Sequence, residues 1–468
     1  MYRAFNKGLL TRLTAQMVLS AICFLGFVSM PSGTLRAETM SGALARAYET
    51  NPQLNAQRAD TRAIDENLPN ALSGYRPVAS ASADGGLLRE NYAFPNSNGK
   101  INYVSHPAGA AVQVNQNLFN GFRTQNQVSL ANSQIRSSRE SLRYAELGVL
   151  ANAAGAYMNV LRDSSIVSLR KNYVKILELQ LSESRTRLKC GEVTLTDVYQ
   201  SEAALSQGRA DLATAKINLG ASVATYQQIV GEPPQTLSPA KTLQSFLPHK
   251  IDEALQIGLR EHPLIRSSME DVGSAEQAVK VAEGQLLPSL DATAAVAPNY
   301  NYQSLEKEKY YQTIVQLKLT VPLYDGGSTY SGIRQAKEKL AEAQALADQQ
   351  MAVVRGQVNA SWVAWQESSA LIAGAHNDVL QSEKALAGVR EEARLGQRTT
   401  FDVLYAQLQL LNARILYVSA EHDQIVASYS LFAAMGRLSA ETLALNVTHY
   451  NPMDHFDKVK DKWFGTQP

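Results

Sequence analysis

The chain carries the same pattern of prolines, glycines and aspartates twice. The two copies run from about residue 44 to 235 and from about 254 to 440. Matched residues are 211 apart in the early part and 205 apart in the later part, so the first copy holds six additional residues. A duplication of this length predicts two like units packed side by side, which we place at residues 38–240 and 241–440, followed by a tail at 441–468. The matched residues include Pro52 and Pro263, Pro77 and Pro288, Gly121 and Gly326, Gly191 and Gly396, Asp197 and Asp402, and Gly231 and Gly436.

Residues 1–37 have the layout of a secretory signal peptide. Arg3, Lys7 and Arg12 precede an apolar stretch at residues 17–28, and Ala37 offers a small residue for cleavage. An uncleaved membrane anchor is the alternative, although this apolar stretch is short for a transmembrane helix. The segment therefore predicts export from the cytoplasm.

Charge and cysteine content limit the partners and the sources of stability. The chain has 44 basic and 43 acidic side chains, and cleavage after Ala37 would remove four basic ones and leave a net charge of −3. Nucleic acid is not expected as a partner, because its recognition needs a basic surface. Only Cys190 would remain in the mature chain, so an intramolecular disulfide is excluded.

Two long stretches without proline, 108–232 and 323–451, predict long helices. Each contains one turn signal, a glycine followed three residues later by threonine, which favours a helix end and a new helix start. We therefore predict helical hairpins at 122–231 and 328–436, with a leading helix of about 100 Å. The small residues on these helices spread over more than one stripe, which favours neighbours on both sides, as in a tube wall. An ordinary helical bundle is the alternative.

A strand period appears between Pro77 and Leu118 and between Pro288 and Leu323. Apolar and polar residues alternate there, most clearly over residues 315–321, which predicts a β-hairpin in each copy. Strands of about ten residues suit a tilted crossing of a membrane, and Tyr300, Tyr310 and Tyr311 flank the second hairpin loop as interfacial tyrosines do. If the strands span a membrane, the polar positions Gln113, Asn115, Gln316 and Lys318 face a pore, and the apolar positions Val112, Val114, Leu317 and Leu319 face lipid.

Four strands cannot close a barrel, and open strand edges are not tolerated in lipid. Three chains would supply twelve strands, together with a second tube built from their helices. The sequence thus predicts a trimeric channel with β-structure in the membrane and helices below it. A protein with two exposed hairpins and no pore, such as a periplasmic coiled-coil scaffold, is the alternative.

With these features the chain resembles the TolC-family outer-membrane factors, the exit ducts of tripartite efflux pumps and type I secretion systems. The resemblance covers about residues 40–440 and rests on duplicated motifs in a fixed order. These are Asn51-Pro52 with His262-Pro263, Phe119-Asn120-Gly121 with Tyr324-Asp325-Gly326, and the spacing of glycine, threonine and aspartate at the two hairpin tips. It implies a mainly α fold with β-structure: a homotrimer with a twelve-stranded outer-membrane β-barrel that continues as a long periplasmic α-helical barrel. The segment 233–250 and the tail would then form a belt around the helical barrel.

The resemblance also implies a gate at the periplasmic tip. Arg398 would tie the second tip turn to Thr196 and Asp197 of the first, and Asp402 would line the constriction as a negative ring. The tip turns, with Gly191, Thr194, Gly396 and Thr399, would dock a periplasmic adaptor protein. This chain departs from well-studied relatives at Tyr405, where they carry a second aspartate, and at Ala393, where they carry a tyrosine, which implies fewer polar ties in the gate. Helix capping alone is the alternative role for both aspartates.

No arrangement of residues indicates an enzyme. The seven histidines are scattered without metal-ligand spacing, and there is no phosphate-binding glycine loop, so neither a metal nor another cofactor is expected. The predicted function is a passive exit channel in the outer membrane, in contact with its lipid. Its partners would be an adaptor and an inner-membrane transporter of RND or ABC type. A dedicated type I protein-secretion duct is the alternative within this class.

Overall fold

The structure, a computed structural model, describes residues 37–93, 100–301 and 309–466. The predicted signal peptide lies outside the described residues, except for Ala37. The helices are α1 (Met40–Thr50), α2 (Pro52–Asp65), α3 (Asn67–Leu72), α4 (Arg123–Lys189), α5 (Leu195–Val230), α6 (Ile251–Glu261), α7 (Pro263–Glu283), α8 (Ser328–Arg394), α9 (Thr400–Ala434) and α10 (Met453–Val459). The strands are β1 (Val78–Gly85), β2 (Leu88–Ala93), β3 (Lys100–Ser105), β4 (Ala108–Phe119), β5 (Ser289–Tyr300) and β6 (Lys309–Thr320).

Two pairs of long antiparallel helices dominate the fold. Helices α4 and α8 have 67 residues each, or about 100 Å at the usual rise per residue. Each packs along the helix that follows it, and α7 lies between α4 and α8. Helix α4 also contacts α2 and α9, in agreement with the prediction of more than one packing seam. In the described part of the chain, none of the helices has the length and apolar character needed to cross a membrane.

The four long strands form one antiparallel sheet in the order β1-β4-β5-β6. The sequence predicted a single hairpin between Pro77 and Leu118, but β2 and β3 form an additional two-stranded sheet within this segment. The long ladder stops near Pro107, which has no N–H to donate, and the N–H of Gly86 donates to the Pro107 carbonyl at 2.9 Å. The longer first copy accommodates this additional hairpin.

The main hydrophobic core lies where the short helices and the segment after α5 meet the middle of α4. Buried Tyr157 donates its hydroxyl to the carbonyl oxygens of Glu38 (2.8 Å) and Ser238 (2.6 Å), and burial raises the pKa of Tyr157 to about 12. The hydroxyl of Tyr226 donates to the Glu38 carboxylate, which also pairs with Arg46. These bonds hold the segment around residues 236–238 and the segment before α1 against the helices.

Helices α2 and α7 begin in the same way in the two copies. The Asn51 side chain caps α2 by accepting the N–H groups of Gln53 (2.9 Å) and Leu54 (3.2 Å). At the matched position, Nδ1 of buried His262 accepts the N–H of Leu264 at 3.2 Å. Burial lowers the pKa of His262 to about 4, so the ring is neutral and able to accept this bond. A proline follows each cap, where its missing N–H costs nothing.

We expect His262→Asn to reduce the loss of stability in mild acid. Since the pKa of His262 is lower in the folded chain than the usual value of about 6.5, the unfolded state binds more protons below pH 6.5. The free energy of unfolding therefore falls as the pH drops from about 6.5 to 4, by roughly 3 kcal/mol per chain at the lower end. Asparagine keeps the cap, as Asn51 does, but does not titrate. Thermal unfolding at pH 7 and 4.5 tests this, and an equally steep drop in Tm for the variant would contradict it.

Candidate functional site

Both long hairpins end in turns of the same construction. Gly191 follows α4 with φ +74° and Gly396 follows α8 with φ +78°. In each turn the N–H of the glycine and the N–H of the next residue donate back to carbonyls of the preceding helix, at 2.9 to 3.1 Å. A left-handed glycine with such bonds ends a helix and satisfies its last carbonyl groups. The repeated glycine spacing thus produces two matching tips.

The helices that leave the tips begin with identical capping boxes. Thr194 N–H and hydroxyl donate to Oδ2 of Asp197 at 2.9 and 2.7 Å, and the Asp197 N–H donates back to the threonine hydroxyl at 3.3 Å. Thr399 and Asp402 repeat the arrangement at 2.9, 2.8 and 3.2 Å. Both aspartates therefore cap helices, as the simpler interpretation of the sequence held. All these bonds to the carboxylates end on Oδ2.

The caps keep both carboxylates charged. The hydroxyl and N–H of Thr194 lower the pKa of Asp197, and the side chain of Thr400, from the other hairpin, adds to the effect. The N–H and hydroxyl of Thr399 lower the pKa of Asp402 in the same way. The two tips consequently carry negative charge at neutral pH, and Asp197 lies next to the first residue of α9.

Arg398 is paired within its own hairpin. Its Nε donates to Oε2 of Glu392 at 2.7 Å, with both side chains about half exposed. Thr196 lies exposed in the first turn of α5. In the single chain the guanidinium therefore bridges the end of α8 to the turn after it, and the tie from Arg398 to Thr196 and Asp197 stays a prediction.

A cleft of about 800 Å³ separates the two tips. Of the predicted gate residues, Asp197 and Arg398 line it, whereas Thr196 and Asp402 lie outside it. Charged groups of both signs face the cleft from both hairpins, so it is a polar and ionic surface. The lining residues that bear on the gate are Arg187, Glu192, Thr194, Asp197, Ala393, Gly396, Arg398, Thr399 and Thr400.

An aromatic pair stands beside Asp402 on α9. The rings of Phe401 and Tyr405 stack with centroids 6.4 Å apart and an interplanar angle of 19°, and both side chains are more than half exposed. Tyr405 is one of the two positions at which the resemblance implied a departure from well-studied relatives. The surface next to Asp402 is thus aromatic and exposed.

The polar face of the sheet carries the predicted pore-facing positions. Gln113 Nε2 and the Thr293 hydroxyl both donate to Oδ1 of Asn115 at 2.9 Å. Thr293 lies opposite Gln316 in the next pair, and the adjacent Asp291 lies opposite Lys318. These hydrogen bonds connect polar side chains across neighbouring strands on one side of the sheet.

The opposite face is apolar and open. Val112 and Val114 are 59% and 38% exposed, and Leu317 and Leu319 are 69% and 64% exposed. Because successive strand residues point to opposite faces, these four residues share the side away from Asn115. A continuous apolar surface of this kind marks a lipid or protein contact.

Sequence reasoning missed the acidic and hydroxyl partners at the tips. Glu392 binds Arg398, Glu192 binds Arg187 at 3.1 Å, and Thr400 approaches Asp197. The available signal was the presence of opposite charges on the two sides of each tip glycine. Among the described residues, no cluster of histidine, cysteine and acidic side chains is suited to hold a metal ion.

Comparisons with known proteins agree with this geometry. The family model described as "Outer membrane efflux protein" matches residues 43–232 and 254–437, close to the two copies in the sequence. The chain is 36% identical over 452 residues to the outer membrane efflux protein BepC of Brucella suis biovar 1 (strain 1330), covering 96% of both proteins. It is 23% identical over 446 residues to the outer membrane protein TolC of Escherichia coli (strain K12), covering 92% of this chain and 88% of TolC.

Solved structures share the fold at low sequence identity. The CmeC outer membrane channel of Campylobacter jejuni superposes with a TM-score of 0.78 at 15% identity, over 90% of this chain and 89% of CmeC. VceC of Vibrio cholerae superposes with a TM-score of 0.72 at 16% identity, over 85% of this chain and 96% of VceC.

Proposed function

Because the chain belongs to the outer membrane efflux protein family, we propose that three copies assemble into a passive exit duct that opens at its helical tip. The protein is an outer-membrane channel with a large periplasmic helical part, as its relatives are. The observation that supports the trimer is the four-stranded sheet. Among the described residues, the outer edges of β1 and β6 have no strand partner, and the exposed face of the sheet is apolar. Pairing β6 of one chain with β1 of the next would satisfy both edges.

The two faces of the sheet assign the surfaces of the barrel. Gln113, Asn115, Gln316 and Lys318 would line the aqueous pore. The valines and leucines on the other face would contact outer-membrane lipid, where burial of apolar surface is favourable and a charge is costly. The alternative of a scaffold without a pore leaves this exposed apolar face without a role.

The tip would act as the gate. In the closed trimer Arg398 would leave Glu392 and bind Thr196 and Asp197, drawing the tips together, while three copies of Asp402 would form a negative ring that favours cations. The adaptor would engage the turns at Gly191, Thr194, Gly396 and Thr399, break these ties and let the hairpins spread. The Phe401–Tyr405 stack would narrow the same opening with aromatic surface in place of a second acidic ring.

Partner proteins would supply the energy for transport and would select the substrate. Channels of this family work with an adaptor and an inner-membrane transporter, and we propose that this chain serves a transporter of RND or ABC type. BepC is named as an efflux protein, which favours efflux over a dedicated protein-secretion system. Transport through the duct would involve no chemical step.

The native mass in mild detergent tests this assembly. We expect three chains per particle for the mature protein and for Gln316→Arg, which places a charge on the polar face. Leu317→Arg places the same charge on the neighbouring, lipid-facing position, where a charge costs up to about 2 to 4 kcal/mol per chain, the value at the membrane centre, so the trimer yield should fall. A monomer that needs no detergent, or equal yields from the two variants, would contradict the proposal.

A further inference from the structure

The C-terminal tail runs from the central core to the base of the sheet. The N–H of Tyr450 donates to the Tyr48 hydroxyl at 3.0 Å, and Nδ1 of His455 lies 3.1 Å from Oδ2 of buried Asp65. Further on, Arg76 Nη1 donates to the carbonyl of Lys462 at 2.8 Å. Tyr48, Asp65 and Arg76 occur along the first copy in the same order as their partners along the tail. The tail therefore runs beside α2 and α3 and reaches Arg76, two residues before β1.

Arginine and aromatic side chains hold the tail along this path. The guanidinium of Arg58 lies 4.5 Å from the ring centre of Tyr48 and 5.3 Å from that of Tyr450. Arg139 lies 4.8 Å from the ring of Phe456, and Arg76 lies 4.5 Å from that of Trp463. Such contacts are favourable at partly exposed sites, and the last one fixes Trp463 at the level where the chain enters the sheet.

Two neighbouring aromatic side chains are exposed near the end of the described tail. Trp463 is 58% exposed and Phe464 is 87% exposed. The residues just before them mix lysine with aspartate, and Lys460 pairs with Asp457 at 2.9 Å. Exposed tryptophan is typical of the boundary between membrane and water.

The second copy shows which kind of side chain is exposed at the base of the sheet, just before the strands begin. Leu286 and Leu287 lie just before Pro288 and are 40% and 43% exposed, although Leu287 lies close to Gly121 of the first copy. The matched residues before Pro77 are Tyr75 and Arg76. The first copy therefore has a charged residue where the second has an exposed leucine, and Trp463 covers that residue.

We propose that Trp463 and Phe464 form a lipid anchor that binds phospholipid in the periplasmic leaflet of the outer membrane. The aromatic rings enter the boundary between headgroups and chains, where an aromatic ring with one apolar and one polar side is favourable. The tail thus replaces, in the first copy, the apolar surface that Leu286 and Leu287 provide in the second. This inference rests on the proposed position of the sheet in the membrane.

Site-specific fluorescence in liposomes tests the anchor. Phe464→Cys in a Cys190→Ser background is labelled with a polarity-sensitive fluorophore and reconstituted in phosphatidylethanolamine and phosphatidylglycerol, with or without bromine on the upper acyl chain. We expect brominated lipid to lower the emission clearly, because the label would lie at the interface where aromatic side chains are enriched, and iodide in the buffer to have little effect. Leu317→Cys in the same background reports the lipid-facing strand, and native Cys190, exposed at the tip, reports water.

The controls separate the anchor from the channel. If the label at 317 responds to bromine and the label at 464 does not, the anchor is wrong and the membrane position of the sheet stands. If neither responds, the proposed function fails as well. A label at 464 shielded from both bromine and iodide would show that a neighbouring chain covers the tail, which also overturns the anchor. Emission of Trp463 in Trp362→Phe/Trp365→Phe, which leaves one tryptophan, should show the same response without a label.

Discussion

Replacing Gly121 with alanine is expected to remove most of the folded channel from the outer membrane. Gly121 adopts φ +68° in the turn from β4 to α4, and a Cβ there would lie 2.3 Å from the carbonyl oxygen of Gly284 and 2.8 Å from Leu287 Cβ. The carbonyl is backbone and cannot rotate away. Alanine would therefore force apart the turn of the first copy and the turn that precedes β5 of the second.

Two separate losses of folding free energy add in Gly121→Ala. The left-handed conformation costs an alanine about 1 to 2 kcal/mol, and overpacking a tight site typically adds about 1 to 3 kcal/mol. The contact also joins the two copies at the base of the sheet, so its loss would disturb the register of β4 against β5. Together these costs are a large part of the stability of an average domain.

Gly396→Ala is the matched control for Gly121→Ala. Gly396 adopts φ +78°, but apart from its chain neighbours no atom of the described residues lies within 4 Å of the added Cβ, so the variant carries only the cost of the backbone conformation. The measurement is the amount of protease-resistant protein in outer-membrane fractions at equal expression. Similar amounts of the two variants would show that contact with Gly284 contributes little.

The architecture was predictable because the internal duplication and the positions of proline and glycine are visible in the sequence itself. Proline cannot continue a helix, so the proline-free stretches fix where α4, α5, α8 and α9 can exist, and the tip glycines fix where they turn. The additional β2–β3 hairpin was not predicted, because its strands lack a clear alternation and its pairing depends on where Pro107 interrupts the ladder. The packing of the tail against the first copy was also not predictable, because Arg76 and Trp463 are far apart in the sequence.

The site was predictable only in part, for a related reason. Capping by Thr194 and Asp197, or by Thr399 and Asp402, spans three residues and can be inferred directly from spacing. The partner of Arg398 is a choice among several nearby carboxylates, and the fold of one chain selects Glu392. A contact between chains depends on how three copies meet, which no pattern within one copy specifies.

Arg398→Ala is expected to raise the leak of small hydrophilic compounds through the closed channel. If Arg398 ties the second tip to Thr196 and Asp197 in the closed trimer, the variant removes three exposed ties at once. Each exposed tie is weak on its own because water screens it, but all of them are lost together in the trimer. We therefore expect the open population to rise by roughly a factor of ten or less.

Two neighbouring variants isolate this effect. Arg394→Ala removes another tip arginine, which pairs with Glu391 at 3.2 Å, and should leave the closed state unchanged. Glu392→Ala frees Arg398 from its partner within the hairpin while keeping the guanidinium. If the gate uses Arg398 for a contact between tips, this variant should close at least as tightly as the wild type.

Conductance of single trimers in planar bilayers, together with uptake of a small hydrophilic dye by cells, measures the gate. The expected order of leak is Arg398→Ala well above Arg394→Ala, with Glu392→Ala lowest or equal to the wild type. If Glu392→Ala leaks as much as Arg398→Ala, the pair seen within one hairpin is itself the closing contact. The tie to Thr196 and Asp197 would then be wrong, because loss of the intrahairpin bond alone would account for opening.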